Sequence, residues 1–348
     1  FKISRNAIAI SGISEFISGA VLLIILWTGT RLIFDQKLSA GEVLSFYTLF
    51  TYLSAPLNSL IIANKNIQNA LIATDRLFQI MDLETEKENN MQLQCISNEN
   101  KSIKFENVSF KYPGQRPVFE NLSFEIEKGN IVAIVGESGT GKSTILSLIQ
   151  KLQKPQKGKI YIGKHNINHL SRYDLARHIS TVPQSIQLFN DSIANNISLG
   201  EEPDFDKIFQ IINKLGIEKF INELPAGVHT VIHEYGNNFS GGERQKIAIA
   251  RALYHEPKIL LLDEASSALD YKSEDYLKKL CMELIENDIT IIIVAHRLSS
   301  ITHANKIIVL EDGRVKETGS HYNLIEKKGK YYELWSRQYS IKNSKTVF

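Results

Sequence analysis

Residues Gly136 to Ser143 read G-E-S-G-T-G-K-S and fill every fixed position of G-x-x-x-x-G-K-[ST]. The block lies between an apolar run at 131–135 and helix-forming residues at 144–152. A buried strand that ends in a glycine turn and opens a helix aims several backbone N–H groups at one point, which attracts a polyphosphate. Gly136, Glu137, Ser138, Gly139, Thr140, Gly141 and Thr144 form the cradle on this reading. Lys142 reaches the β- and γ-phosphates, and Ser143 sets its hydroxyl on Mg²⁺.

Two more segments carry chemistry. At 259–264 the chain reads I-L-L-L-D-E, four apolar strand residues ending in two carboxylates. A buried strand holds Asp263 rigidly where it orients Mg²⁺ or its water. Glu264 is placed to take a proton from an attacking water, general-base work worth about 10²–10⁴-fold. At 239–243, F-S-G-G-E opens a helix-like stretch over 244–253, a second glycine-preceded helix N-terminus and hence a second anion site. One chain with two phosphate-binding helix ends makes sense when two copies meet across a shared nucleotide.

The elements that must position these residues divide the chain. At 348 residues it exceeds the usual single core, and a split is expected. Net charge is +2 with both signs interspersed, which argues against a nucleic-acid partner. Cys95 and Cys281 are far apart with no C-x-x-C spacing, so neither a zinc site nor a disulfide framework is indicated; a reducing compartment fits.

Residues 8–28 and 43–63 are each apolar over about the 20 residues that cross a bilayer core. Lys2 and Arg5 before them, and Lys65 and Arg76 after them, place both outer ends in the cytoplasm. Glu15 in the first span either faces a polar pathway or pairs with a helix or the headgroups. Ser45, Thr48, Thr51, Ser54 and Asn58 make a polar stripe along the second, suited to a cavity wall or to interhelical hydrogen bonds, and Pro56 is expected to kink it. Phe1 is not an initiator methionine, so the chain reads as the back part of a longer one.

The expected division is a membrane part at 1–83 with a cytoplasmic helix extension, a linker at 84–100, a nucleotide-binding domain at 101–340 and a tail at 341–348. Stretches near 103–110 and 122–126 suggest an antiparallel edge, and 131–135, 259–262 and 291–294 read as buried parallel strands. Asp312–Gly313 marks a hairpin. The fold class is thus an α/β P-loop cassette, a mixed sheet with an antiparallel β edge and a helical subdomain, behind two transmembrane helices.

Phosphate loop, F-S-G-G-E, strand carboxylates, S-A-L-D (267–270) and A-H-R (295–297) follow one another in the order of the ATP-binding cassette family, which the whole chain closely resembles. The resemblance implies ATP as the nucleotide and further roles. Tyr112 in F-K-Y-P-G matches the aromatic that stacks on adenine. Gln184 in V-P-Q-S matches a glutamine that touches Mg²⁺ and senses the membrane domain. His296 matches a switch histidine at the γ-phosphate, Asp270 a carboxylate between two cassettes, and E-Y-G (234–236) a segment contacting coupling loops. Ser240, Gly241, Gly242 and Glu243 match the signature that meets the partner's nucleotide. The family's usual signature is L-S-G-G-Q, so Phe239 and Glu243 are departures; a carboxylate at 243 must face ribose or solvent, or pair with Arg244 or Lys246.

The resemblance implies the last third of the transmembrane domain plus the full cassette of an exporter half, working as a homodimer or with a different partner chain, in the bacterial cytoplasmic membrane with the cassette in the cytoplasm. G-E-V-L-S-F-Y (41–47), N-A-L-I-A-T-D-R-L-F (69–78) and Y-Y-E-L-W (331–335) are similar to peptide or bacteriocin exporters that carry an N-terminal cysteine peptidase, so peptide is the expected cargo. The alternatives are a lipid or multidrug exporter and, in another class, a soluble cassette ATPase acting on ribosomes or DNA.

Overall fold

The computed structural model describes residues 2–83, 102–233, 236, 238–265 and 271–344. The expected linker, Glu234 and Tyr235, the S-A-L-D segment with Asp270, and Cys95 lie outside the described residues. The chain divides into two compact units, Phe1–Lys87 and Glu88–Phe348.

The first unit is a helical hairpin of α1 (Lys2–Phe34) and α2 (Ala40–Met81). Its turn ends where Ser39 caps α2. The Ser39 N–H donates to Glu42 Oε2 at 2.7 Å, and the Glu42 N–H donates back to Ser39 Oγ at 3.3 Å. The helices touch where Gly29 leaves no room for a side chain: a Cβ there would sit 2.5 Å from Val43 Cγ1. Among the described residues one stretch is long and apolar enough to cross a membrane, Phe16–Phe34, with mean hydropathy 1.9 and 6% of it buried. It overlaps the expected 8–28 from Phe16 onward, the side chains before Phe16 lying outside the described residues, and the helix persists past Arg31 until the turn at Asp35. The expected second span, 43–63, falls within α2, and several of its side chains, Ser54 and Asn58 among them, lie outside the described residues. Three hydroxyls of the stripe bond within the helix: Ser45, Thr48 and Thr51 donate to carbonyls four residues earlier at 2.8–3.0 Å. The helix runs on through Pro56 as one element.

The second unit holds two sheets. After β1 (Ile103–Lys111) and β2 (Pro117–Ile126) come β3 (Ile131–Gly136), α3 (Lys142–Ile149), β4 (Lys157–Ile162) and β5 (His165–Asn166). Then follow α4 (Arg172–His178), β6 (Ile179–Val182) and a helical stretch of α5 (Ile193–Ser198), α6 (Phe205–Lys214), α7 (Glu218–Asn222) and α8 (Gly241–Tyr254). The chain closes with β7 (Ile259–Asp263), α9 (Tyr271–Glu286), β8 (Thr290–Val294), β9 (Lys306–Glu311), β10 (Arg314–Gly319), α10 (His321–Lys327) and α11 (Lys330–Ser344).

The expected antiparallel edge is a sheet of its own, ordered β2-β1-β4-β5. The mixed sheet is ordered β10-β9-β3-β8-β7-β6, parallel except for the β9–β10 hairpin at Asp312–Gly313. Its inner strands β9, β3, β8 and β7 are buried on both faces and alternate between two cores. Val132, Ile134, Leu261, Ile292 and Ile308 pack with α3 and the antiparallel sheet. Ile131, Ala133, Leu260, Leu262, Ile291 and Ile307 pack with the helical stretch, α8 and α9. On α9, Cys281 is 1% exposed and burial pushes its thiol up to about 12. This sandwich holds the C-terminal ends of β3, β7 and β8 rigidly side by side, which is where the chemistry-bearing residues stand.

Candidate functional site

The phosphate loop leaves β3 at Gly136 and enters α3 at Gly141. Only glycine fits either end. A Cβ on Gly136 would lie 2.5 Å from the Leu310 carbonyl oxygen, and one on Gly141 2.6 Å from the Phe119 ring. Gly141 also has φ +91°, a backbone side chains rarely adopt. It begins the helix with no side-chain cap, so the first N–H groups of α3 are left for a ligand. Thr140 closes the turn by donating to the Glu137 carbonyl at 2.9 Å. Lys142 is buried and folds back over the loop, its Nζ donating to the carbonyls of Gly136 at 3.0 Å and Glu137 at 2.8 Å. Burial holds its ammonium below the usual lysine range, against the pull of Glu264 and Asp263. A desolvated ammonium over backbone carbonyls is poised to exchange them for phosphate oxygens.

Around this loop the strand ends deliver the expected partners. Ser143 Oγ donates to Asp263 Oδ1 at 3.2 Å, joining α3 to β7. Burial raises the Asp263 carboxyl, Glu264 adds to that, and the Ser143 hydrogen bond and Lys142 oppose it. Glu264 has φ +51°, a left-handed conformation that costs a non-glycine residue on the order of 1–3 kcal/mol and turns its carboxylate out of the strand direction. Gln184 Nε2 donates to Glu264 Oε2 at 2.7 Å, so the loop after β6 reaches the carboxylate pair. Tyr112 stands against the start of α3, its hydroxyl 3.3 Å from Thr144 Oγ1 and its ring edge-on to Phe110. Tyr112, the loop, Gln184, Asp263 and Glu264 thus form one site.

The signature segment lies apart. Among the described residues no hydrogen bond or ion pair joins Ser240–Glu243 to the phosphate loop. Instead Ser240 and Glu243 bond each other: the Ser240 N–H donates to Glu243 Oε2 at 2.7 Å, and the Glu243 N–H to Ser240 Oγ at 3.3 Å. The carboxylate therefore caps its own helix and pairs with neither Arg244 nor Lys246 in this structure. Phe239 is buried and packs edge-on to Phe220, keeping the apolar anchor.

Residues 119–267 match the family model described as ABC transporter, and 209–345 match one described as a P-loop domain. The second unit is an ABC transporter ATPase domain. The chain is 39% identical over 326 residues to the ATP-dependent lipid A-core flippase of Pasteurella multocida (strain Pm70), covering 92% of this chain and 55% of the relative. It is 35% identical over 339 residues to the lactococcin-G-processing and transport ATP-binding protein LagD of Lactococcus lactis subsp. lactis, covering 96% of this chain and 48% of that one. A solved bacterial Atm1-family ABC exporter with ATP bound superposes with a TM-score of 0.73 at 37% identity, over 87% of this chain and 53% of that chain. The chain spans about half the length of these proteins.

The ABC ATPase domain uses residues that sequence reasoning passed over. Arg251 on α8 is desolvated and donates to the Asn196 and Gln187 carbonyls and to Asn196 Oδ1 at 2.8–3.0 Å, tying the signature helix to the loop after Gln184. Gln338 on α11 bonds the backbone of His296 and Leu298. Both contacts are remote in sequence and carry no motif. The Ser240–Glu243 cap was legible, since S-x-x-E ahead of a helix is a capping-box pattern.

Proposed function

We propose that this chain is the cassette-bearing part of a dimeric ATP-driven exporter in the bacterial cytoplasmic membrane, with the ABC ATPase domain in the cytoplasm. The observation that carries the ATPase reading is the convergence of Ser143 on Asp263 and Gln184 on Glu264 beside an uncapped phosphate loop. ATP would rest its adenine on Tyr112 and its phosphates on the N–H groups of 138–144, with Lys142 on the β- and γ-phosphates. Glu264 would hold and deprotonate the attacking water, with Gln184 fixing the carboxylate, and His296 would contact the γ-phosphate.

The donor set fits Mg²⁺. Ser143 and Asp263 offer oxygens, and with its amide nitrogen on Glu264 the remaining ligating atom of Gln184 is also an oxygen. The ion would neutralise charge on the transferring phosphoryl group.

Two anion sites that one cassette keeps apart support a shared nucleotide, held between Gly136–Thr144 of one copy and Ser240–Glu243 of the next; Asp270 would communicate across that interface. In the full-length, otherwise cysteine-free protein carrying Glu264→Gln, cysteines at Ser138 and Gly241 should give an ATP-promoted intermolecular crosslink, with turnover down about 10²-fold or more and ATP binding kept. Intramolecular bridging alone sinks the shared site.

For cargo, relatives named as lipid A-core flippases favour an amphipathic lipid over the peptide expected from the sequence. LagD keeps peptide as the second reading. Stimulation of ATPase by a lipopolysaccharide-type lipid but not by a leader-bearing peptide, in the reconstituted protein, supports the first; the reverse restores the second.

A further inference from the structure

Helix α11 reaches the nucleotide site with side chains that no motif assigns. Gln338 grips the segment after β8 with both ends of its amide. Its Nε2 donates to the His296 carbonyl at 2.6 Å, and its Oε1 accepts from the Leu298 N–H at 3.0 Å. An amide used this way acts as a strand neighbour would, satisfying one acceptor and one donor two residues apart. Two turns of α11 bring a second contact. Arg337 Nη1 lies 3.4 Å and Lys330 Nζ 3.5 Å from Glu137 Oε1, on the outer lip of the phosphate loop.

The helix that carries these groups is firmly anchored. The Lys330 and Tyr331 N–H groups donate to the two Glu317 carboxylate oxygens at 2.8 and 3.2 Å. Tyr331 is fully buried, its hydroxyl 2.9 Å from His321 Nδ1. Lys330 Nζ is also held by Glu311 at 2.8 Å, and Glu333 pairs with Arg337.

We propose that α11 positions two parts of the nucleotide site at once. Gln338 fixes the backbone that presents His296, and Arg337 with Lys330 neutralises and steadies Glu137. What is positioned rests on the ATPase reading above. The two contacts differ in weight and in kind. Arg337 and Glu137 side chains are 60% and 54% exposed, so their pairing is weak and screened by salt. Left unpaired, the Glu137 carboxylate would oppose an incoming triphosphate, which is an effect on binding. The Gln338 contact acts on the switch segment and bears on turnover.

The test measures ATPase kinetics on the full-length protein with amide hydrogen exchange at Leu298. Gln338→Ala should lower kcat about fivefold (about 1 kcal/mol) with KM for ATP within about twofold, and should speed exchange at Leu298. Gln338→Glu should lose as much kcat, because a carboxylate still accepts from Leu298 but cannot donate to His296, while keeping Leu298 protected. Arg337→Ala should instead raise KM about twofold to threefold at low salt, and the rise should disappear at high salt. Unchanged Leu298 exchange in Gln338→Ala, or wild-type kcat in Gln338→Glu, overturns the proposal. A fall in melting temperature with no split between kcat and KM overturns it too, since that is a purely structural role. Should the wild type hydrolyse no ATP, the ATPase reading fails, and the exchange result still decides whether Gln338 holds the segment.

Discussion

Two helices in the ATPase domain begin at glycine-rich segments, and they begin in opposite ways. Helix α3 starts at Gly141 with no side chain to cap it. Helix α8 starts at Ser240 with a closed capping box, its Ser240 and Glu243 N–H groups both satisfied from within. A helix leaves four N–H groups without an internal acceptor, and a ligand is only one way to fill them. At the phosphate loop no side chain caps any of them. The signature end keeps only the N–H groups of Gly241 and Gly242, at the first two helical positions, free of an internal acceptor. The open end leaves its first N–H groups unmet by any side chain, while the capped end offers only two.

Substitutions can break this contrast. Lys142→Ala removes the buried charge over the open end and should weaken ATP binding by about 30-fold or more, since truncating a buried charge partner costs about 2–5 kcal/mol; equilibrium binding of a fluorescent ATP analogue measures it. Gly141→Ala should cost the fold on the order of 2–3 kcal/mol, because the new Cβ meets Phe119 and Val118 at 2.5–2.6 Å in a left-handed backbone. A urea midpoint unchanged in that variant would show that the loop relaxes freely. At the capped end Ser240→Ala should lower stability by about 1 kcal/mol while ATP binding to the separated subunit stays at its wild-type affinity; loss of that binding would mean the two ends are not independent. Glu243→Gln is the smallest change, since an amide oxygen still accepts from the Ser240 N–H. It should alter the apparent ATP affinity in an ATPase titration by less than tenfold, under about 1.4 kcal/mol. A gain well above tenfold would mean the carboxylate opposes the phosphates, and would favour a different partner chain with a better-equipped signature.

The open end was legible from sequence because everything it needs is local: strand, glycines, lysine and helix occupy one stretch of chain. The carboxylates at 263 and 264 were legible because four apolar residues announce the strand that carries them. The departure at Glu243 was weighed as a charge facing a ligand, while the S-x-x-E spacing already placed it on its own helix; Ser39 and Glu42 repeat the same pattern at the start of α2. The separate antiparallel sheet was harder to see, since β4 is short and joins it by pairing with β1 far back in the chain, and the two-residue β5 pairs with β4. Contacts such as Gln338 with His296, 42 residues apart, depend on how α11 docks and leave no pattern in the residues themselves. The membrane part was read from apolar length, and both apolar stretches fall on the two helices of the first unit.

Cys281 turns the burial of α9 into something that can be timed. Its thiol is covered, and burial holds it protonated at neutral pH, whereas the thiolate is the form that reacts. A maleimide dye added to the folded protein can then attach at that position only while α9 is lifted off the mixed sheet. With mass spectrometry to separate it from Cys95, the labelling rate becomes a clock for local opening of the helix that follows Glu264, and comparing that rate with and without nucleotide would tell whether ligand binding tightens the far side of the sheet.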